Sequence, residues 1–411
     1  MTRRRCVVLF VAVALLATGL STTAFASGRV GDYIVTLRSG AGTSGPAMSK
    51  AYGGSSGLVF DAVFQGFVFH GPASAANRLS GDPRVAAVER DGTAHTVDDA
   101  PPGATQLTVD DAHKARDGYG GNGPYTGDGA AQRTRIAIVD TGVMWNHPYF
   151  KEDGGNVIGR GFGGCVGAPN ARDLNGHGTA TASNAAGQAG VAKDANIIGV
   201  KVFPGGSDNT SWSAVICGLN YVLKYNRKHP TLAENIDVVN MSIAGSGSPA
   251  LHRAVEAVIK HGIVVVAAAG NDGGRVQAPA QYAGVISASA LNHTGTAFAP
   301  FSARHADVAA PGVHIFSANL NGGADTSRSG TSRAAPQVTG AVAVILAINP
   351  AAPVRQILVE SGRCPNGTER GASSCGAWSG GGGSNEPLID TYCAAIDTDV
   401  ATDPVTCPAV T

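Results

Sequence analysis

Four short segments of this sequence carry side chains from which a nucleophilic acyl-transfer site could be assembled. Ser332 lies in Gly330-Thr331-Ser332-Arg333-Ala334-Ala335-Pro336, ahead of Gln337 to Ile348, a stretch apolar on nearly every face. A helix without a polar face is a buried helix. Ser332 is therefore expected where a loop enters a central helix, among orphan N–H groups at the positive end of the dipole. That setting suits a serine that becomes an alkoxide and then an acyl ester, and equally one that only caps the helix. Pro336 is tolerable there because a first helical turn has no use for its missing N–H. Asp140 closes the apolar run Ile136 to Val139 and precedes Thr141-Gly142. It is either a carboxylate at the carboxyl end of a strand or a turn aspartate. His177 is flanked by Gly176 and Gly178, which allow other groups to approach closely; His147 and most other histidines read as surface or structural. Asn271 ends a further strand-like run, Val266 to Gly270, and its amide could donate to a developing oxyanion.

The elements that must hold these groups show in the texture of the chain. From Arg135 onward, apolar runs of strand length alternate with helix-like segments: Ile136 to Val139, Ile197 to Val202, Val238 to Ile243, Ile263 to Ala268 and Val285 to Ser289. Continuous hydrophobicity implies strands covered on both faces, hence an α/β fold with a mostly parallel sheet between helices. Sites in such sheets form beyond the carboxyl ends of the strands. Before this region lies a small α+β unit, with strands at 33–37, 58–60, 67–69 and 85–88 and a helix from Ala73 to Leu79. Asp98-Asp99-Ala100-Pro101-Pro102-Gly103 then reads as an exposed connector that is easily nicked.

Length and composition set the bounds. A chain of 411 residues with 43% hydrophobic content can bury a sizeable core. Basic and acidic residues number 30 each, and no basic block is present to follow phosphates, which argues against a nucleic-acid partner. Arg3-Arg4-Arg5, the apolar run Cys6 to Leu16 and Ala24-Phe25-Ala26 have the three parts of a secretory signal peptide over residues 1–26. An uncleaved anchor is the alternative, although the apolar run is short for a bilayer. The expectation is an exported, extracellular protein without a stable membrane anchor. Export leaves Cys165, Cys217, Cys364, Cys375, Cys393 and Cys407, an even number that implies three disulfides in an oxidising compartment. Of the 15 possible pairings, proximity alone favours Cys165 with Cys217, Cys364 with Cys375 and Cys393 with Cys407. Zinc would compete, but no cysteine or histidine pairs stand at ligand spacing.

Asp140-Thr141-Gly142, Gly176-His177-Gly178-Thr179, Ala269-Gly270-Asn271 and Gly330-Thr331-Ser332 together resemble the subtilisin-like serine proteases, in that family's order and at family-like separations. Asn240-Met241-Ser242, Ala278-Pro279-Ala280 and Asp307 to Gly312 are weaker echoes. The resemblance implies catalysis by Asp140, His177 and Ser332, with Asn271 at the oxyanion. It implies substrate-binding walls at Ser242, Ile243, Ala244 and Gly245 and at Ala268, Ala269 and Gly270. It also implies a subtilisin-like peptidase domain over 98–411, with a Cys-rich C-terminal segment, preceded by a ferredoxin-like inhibitory propeptide over 27–97. The partners expected are protein or peptide substrates and the chain's own propeptide, acting on a monomer. The chemistry needs no cofactor; structural calcium is possible in the family, but no ligands can be assigned. Self-cleavage is expected near Thr96 to Asp98.

Several positions depart from the family pattern. Arg333 follows the serine where an uncharged residue is usual, Ala180-Thr181-Ala182 stands where a second histidine is common, Gln337 replaces a frequent histidine, and Ser242-Ile243-Ala244-Gly245 is a loose version of the usual motif. Small apolar walls suit bulky hydrophobic side chains before the cut, and Asp272 is the one candidate for a wall carboxylate. Two other readings stand beside the endopeptidase. One is a catalytically silent binding protein of the same fold. The other is an esterase, although no Gly-x-Ser-x-Gly elbow surrounds Ser332.

Overall fold

The computed structural model describes residues 29–98, 134–150, 157–187, 190–231, 234–292, 297–325 and 328–361. The signal-peptide residues 1–26, the connector beyond Asp98 and the four cysteines after Cys217 lie outside them.

Strands β1 (Val30–Leu37), β2 (Ser55–Phe60), β3 (Gly66–Pro72) and β4 (Val85–Arg90) form an antiparallel sheet in the order β2-β3-β1-β4. Helices α1 (Gly45–Ala51) and α2 (Ala73–Ser80) complete a ferredoxin-like βαββαβ unit. Helix α1 has no clear signal in the sequence. Its seven residues are too few for a clear period, and it starts only because the Ser44 hydroxyl accepts the Ala47 N–H and a proline follows. Tyr33, Val35, Phe67, Phe69 and Leu79 form a core of their own.

The main sheet has six parallel strands in the order β13-β12-β11-β9-β6-β7: Val308–Pro311, Val285–Leu291, Val264–Ala268, Val238–Met241, Arg135–Asp140 and Asn196–Lys201. The five expected runs are all in it. Val238 to Ile243 is split, however: β9 stops at Met241, and β10 (Ile243–Gly245) leaves to pair with β5 (Thr93–Thr96). Strand β5 also pairs with β8 (Asn209–Ser211), so the end of the N-terminal unit is the middle strand of a small antiparallel sheet. Helices α3 (His177–Ala185), α4 (Trp212–Lys228), α5 (Pro249–Lys260), α6 (Thr331–Ile348) and α7 (Val354–Ser361) complete the described elements used below.

Helix α6 packs against β9, β11 and β12 and is buried on nearly every side. It is the one helix among the described residues long and apolar enough to cross a membrane, and 83% of it is buried inside the protein. It begins at Thr331 with Gly330 as its N-cap, so Ser332 is a helical residue and not the cap. Pro336 accordingly lies beyond the first turn, and its missing N–H leaves the Ser332 carbonyl without an intrahelical donor. The Ser242 hydroxyl supplies that donor at 3.1 Å, and Asn240 Nδ2 donates to Ser242 Oγ at 3.0 Å. Sheet and helix are thus joined where the nucleophile candidate sits.

The N-terminal unit is fastened to the main body by polar contacts. Asn220 Oδ1 on α4 accepts the N–H groups of Asp61, Ala62 and Val63 at 3.0, 2.7 and 3.2 Å. Asp91 Oδ1 accepts Ser213 N–H at the start of α4, and Glu89 Oε1 accepts Ala250 N–H at the start of α5, both at 3.0 Å. Two carboxylates therefore satisfy orphan donors at two positive helix ends. Cys165 and Cys217 are bonded to each other, tying α4 to a loop 52 residues earlier.

At the amino ends of the strands, burial pushes the Asp237 carboxyl up to about 6, against the opposing Arg135 N–H, which donates to it at 2.8 Å. A carboxyl with a raised folded value binds its proton more tightly in the native state, so stability falls as pH rises from the unfolded value towards 6. Asp237→Asn keeps the acceptor and loses the charge. It is expected to raise the unfolding free energy measured by urea titration at pH 7, by on the order of 1–2 kcal/mol, with no gain near pH 4; equal effects at both pH values would contradict the assignment.

Candidate active site

Asp140 ends β6 at the carboxyl edge of the sheet, and α3 begins at His177 directly beside it. Glycine makes the approach possible: a Cβ on Gly178 would lie 2.1 Å from Gly142 O and 3.1 Å from Asp140 Oδ1. Asp173, unremarked in the sequence, arranges this corner. It accepts Thr141 Oγ1–H, Gly176 N–H, Thr179 N–H and Thr179 Oγ1–H at 2.9, 3.0, 2.9 and 2.6 Å. An acidic residue shortly before Asn175-Gly176 is the one signal that could have flagged it as a turn organiser. His177 Nδ1 lies 2.7 Å from Asp140 Oδ1, both side chains being buried. A carboxylate only accepts, so Nδ1 carries the proton and Nε2 is free to take another. Nε2 has no hydrogen-bond partner among the described residues.

Ser332 comes to the same place from α6, and Asn271 from the loop after β11. Asn271 Oδ1 accepts both Thr331 N–H and Thr331 Oγ1–H at 2.9 Å. Because a backbone N–H can only donate, this fixes which end of the amide is nitrogen. Nδ2 then donates to the carbonyl oxygen of Val97 at 2.8 Å. Ser332 Oγ lies 2.5 Å from that same oxygen and 2.7 Å from Asp98 Oδ1, with one proton to share between them. A backbone carbonyl is thus held between a hydroxyl and a side-chain amide, with an aspartate-bound imidazole alongside. Such an arrangement can support acyl transfer through a stabilised oxyanion.

The subtilase (peptidase S8) sequence profile matches residues 131–363, more than half of the chain. The chain belongs to the subtilase family, whose members are serine endopeptidases. It is 34% identical over 296 residues to Subtilisin-like protease 2 of Pseudogymnoascus destructans, covering 69% of each chain. It is 35% identical over 292 residues to Subtilisin E of Bacillus subtilis, covering 67% of this chain and 69% of that one. Among solved structures, a cold-adapted subtilisin-like serine proteinase superposes with a TM-score of 0.53 at 28% identity, over 66% of this chain and 91% of that one. Fervidolysin from Fervidobacterium pennivorans, a keratinolytic enzyme, gives 0.66 at 22% identity over 90% of this chain and 61% of its own, a likeness of fold alone.

In this subtilase the cleft is filled by the chain's own residues 93–98. Of the expected wall residues, Ile243, Ala244 and Gly245 pair with Thr96, His95 and Ala94. Ala244 and Ala268 share one buried apolar cluster with Val97, itself only 2% exposed. Ser242, Ala269 and Gly270 donate within the frame, to the Ser332 carbonyl, to the Ala288 carbonyl and to Thr331 Oγ1. Asp272 is exposed and bonded to Gly274 N–H and Gln277, so it is not a buried wall carboxylate. Asp98, expected in an exposed connector, is instead tucked against the site: its Oδ2 pairs with Arg328 Nη1 at 2.5 Å and its Oδ1 with Arg333 Nε at 3.2 Å. Burial alone would raise the Asp98 carboxyl, but Arg333, His177 and Arg328 outweigh it and hold it well below the usual carboxylate range. His147 is structural, with Nδ1 accepting Tyr149 N–H and Nε2 donating to Gly323 O. Among the described residues no group of three or more His, Cys, Asp or Glu converges as a metal site, so no calcium ligands are assigned.

Gly330 has φ +151°, and a Cβ there would lie 2.2 Å from the Val97 carbonyl oxygen. Gly330→Ala is expected to expel a carbonyl from this position and to lower kcat/KM on peptides by at least about 10²-fold, at some cost in stability from the strained backbone. A rate within a few-fold of the parent would show that substrate carbonyls bind elsewhere.

Proposed function

We propose that this chain is a secreted serine endopeptidase, made as a self-inhibited precursor that cuts itself between Val97 and Asp98. The observation that carries the reading is the Val97 carbonyl oxygen, 2.5 Å from Ser332 Oγ and 2.8 Å from Asn271 Nδ2. Ser332 Oγ adds to the Val97 carbonyl carbon as its proton passes to His177 Nε2, and Asp140 stabilises the imidazolium that results. The carbonyl oxygen gains its charge facing Asn271 Nδ2, at the 2.7–3.1 Å that suits an oxyanion donor. Collapse breaks the bond to the Asp98 nitrogen, which takes the proton back from His177. Water, deprotonated by the same imidazole, then frees the Val97 carboxylate from its ester.

Residues 27–97 serve as the inhibitor. Their last strand fills the cleft between β10 and β8, and Glu89 and Asp91 anchor the unit on two helix ends. Strand pairing recognises main chain and is indifferent to most side chains, so external proteins are read in the same groove. The small apolar surroundings of Val97 favour a hydrophobic residue before the cut. Export is supported by the signal-peptide pattern of residues 1–26 and by the Cys165–Cys217 bond; one relative, from Thermus sp., is an extracellular serine proteinase.

A silent binding protein is the second reading, favoured by one observation: Ser332 Oγ contacts Asp98 Oδ1, which lies 3.6 Å from His177 Nε2, while Nε2 has no hydrogen-bond partner among the described residues. Assay of the purified protein on casein and on a nitrophenyl ester separates the readings. Hydrolysis of casein that depends on Ser332 is the expected result. Hydrolysis of the ester alone would indicate an esterase, and hydrolysis of neither a binding protein.

A further inference from the structure

Arg333 is the feature that the reaction above leaves without a use. It follows the nucleophile, its side chain is wholly buried, and it is among the largest buried side chains of the protein. A buried guanidinium needs a counter-charge or a full set of acceptors. Two partners come from α3: Nη2 donates to Thr181 Oγ1 at 2.9 Å and lies 3.5 Å from His177 O. Two departures from the family pattern, Arg333 and the small Ala180-Thr181-Ala182 segment, therefore meet in space. Nε faces the Asp98 carboxylate at 3.2 Å and Ser332 Oγ at 3.4 Å, and among the described residues Nη1 has no hydrogen-bond partner. Arg328 closes on the other carboxylate oxygen at 2.5 Å with a side chain 32% exposed. The only carboxylate paired with Arg333 among the described residues thus belongs to the residue directly after the carbonyl held by Ser332 and Asn271.

We infer that Arg333 and Arg328 form a subsite selecting an acidic side chain, aspartate above all, on the leaving-group side of the scissile bond. The inference rests on the endopeptidase reading and on the position of the Val97 carbonyl. Once the chain is cut, Asp98 becomes a free amino terminus, and Arg333 stays behind as a buried cation beside the nucleophile without its carboxylate. A substrate with aspartate at that position restores the pair, one with asparagine supplies the shape without the charge, and one with lysine opposes it. Asp98 Oδ1 lies 2.7 Å from Ser332 Oγ and 3.6 Å from His177 Nε2, so the two arginines must hold the carboxylate aside as the serine proton passes to His177 Nε2. Low apparent basicity of Asp98 agrees with such a subsite.

The test uses peptides carrying Thr93 to Val97 followed by Asp, Asn or Lys, cleaved by enzyme purified from the full-length chain, with kcat/KM compared between peptides for each variant. Wild type is expected to prefer Asp over Asn by at least about tenfold, as for a charge-assisted hydrogen bond, and to cleave the Lys peptide slowest. Arg333→Met, an apolar replacement of similar length, should bring the Asp-to-Asn ratio close to one. Arg328→Gln alters a partly exposed position that should not trouble folding, and should reduce the ratio in part. Because the readout is a ratio within one preparation, partial loss of folded enzyme does not affect it. Wild type that cleaves all three peptides alike overturns this inference and leaves the endopeptidase standing, as does a preference that survives both substitutions. Wild type that cleaves none overturns the endopeptidase reading, and this inference with it.

Discussion

Ser332→Ala is expected to abolish casein hydrolysis, with a loss of about 10⁶-fold in kcat, the figure established for this family, while the fold stays intact. The side chain is fully buried in a helix start made of small residues, where alanine fits. What disappears is one hydroxyl shared between the Val97 carbonyl and Asp98. The Val97 oxygen keeps Asn271 Nδ2 as a donor, so no buried acceptor is left bare. Stability should therefore change by no more than about 1 kcal/mol. Activity within a factor of about ten of wild type in a protein free of contaminating protease would remove Ser332 from the chemistry.

Asp140→Asn should cost about 10⁴-fold in kcat, the size found for the equivalent change in an unrelated serine protease, with KM little altered. Asp140 Oδ1 receives both Thr141 N–H and His177 Nδ1–H at 2.7 Å, while Oδ2 has no hydrogen-bond partner among the described residues. An asparagine can keep the geometry but removes the charge that stabilises the imidazolium. It also places a buried NH₂ where no acceptor waits, which favours a flipped amide and the wrong histidine tautomer. A loss of less than about tenfold would mean that the imidazole is held by the surrounding packing and not by Asp140.

Much of this arrangement can be read from the sequence because the chemistry sits next to sharp local signals. Asp140 and Asn271 follow apolar strands, His177 lies between glycines, and Ser332 leads into an apolar helix. Five of the six parallel strands announce themselves as continuous hydrophobic runs. Strand β13 reads Val308-Ala309-Ala310-Pro311, with a single β-branched residue and a terminal proline, which blurs the pattern. The groups that orient the site are harder to find. Thr331 fixes the Asn271 amide from 60 residues away, Ser242 satisfies the Ser332 carbonyl across 90 residues, and Arg328 meets Asp98 across 230. Each is an ordinary polar residue whose partner is set by the tertiary fold. The Ser332 carbonyl needs an outside donor only because Pro336 falls beyond the first turn, so an error of a few residues in the helix start conceals the reason for Ser242. Asp98 is hidden for a similar reason: its proline- and glycine-rich neighbourhood reads as a connector, and the two cations that draw it inward are more than 200 residues later.

The central claim is that the first substrate is the chain itself. Residues already bound in the groove need no encounter, and such geometry supplies effective molarities of about 10⁵–10⁸ M, so even a slow enzyme should process to completion. The most direct test is to determine the amino terminus of the main polypeptide, by mass spectrometry, for wild type and for Ser332→Ala expressed in the same host. The prediction is a new amino terminus at Asp98 in wild type and an uncut 27–98 region in Ser332→Ala. Equal processing of the two, or an amino terminus in wild type that leaves Val97 and Asp98 joined, would contradict it.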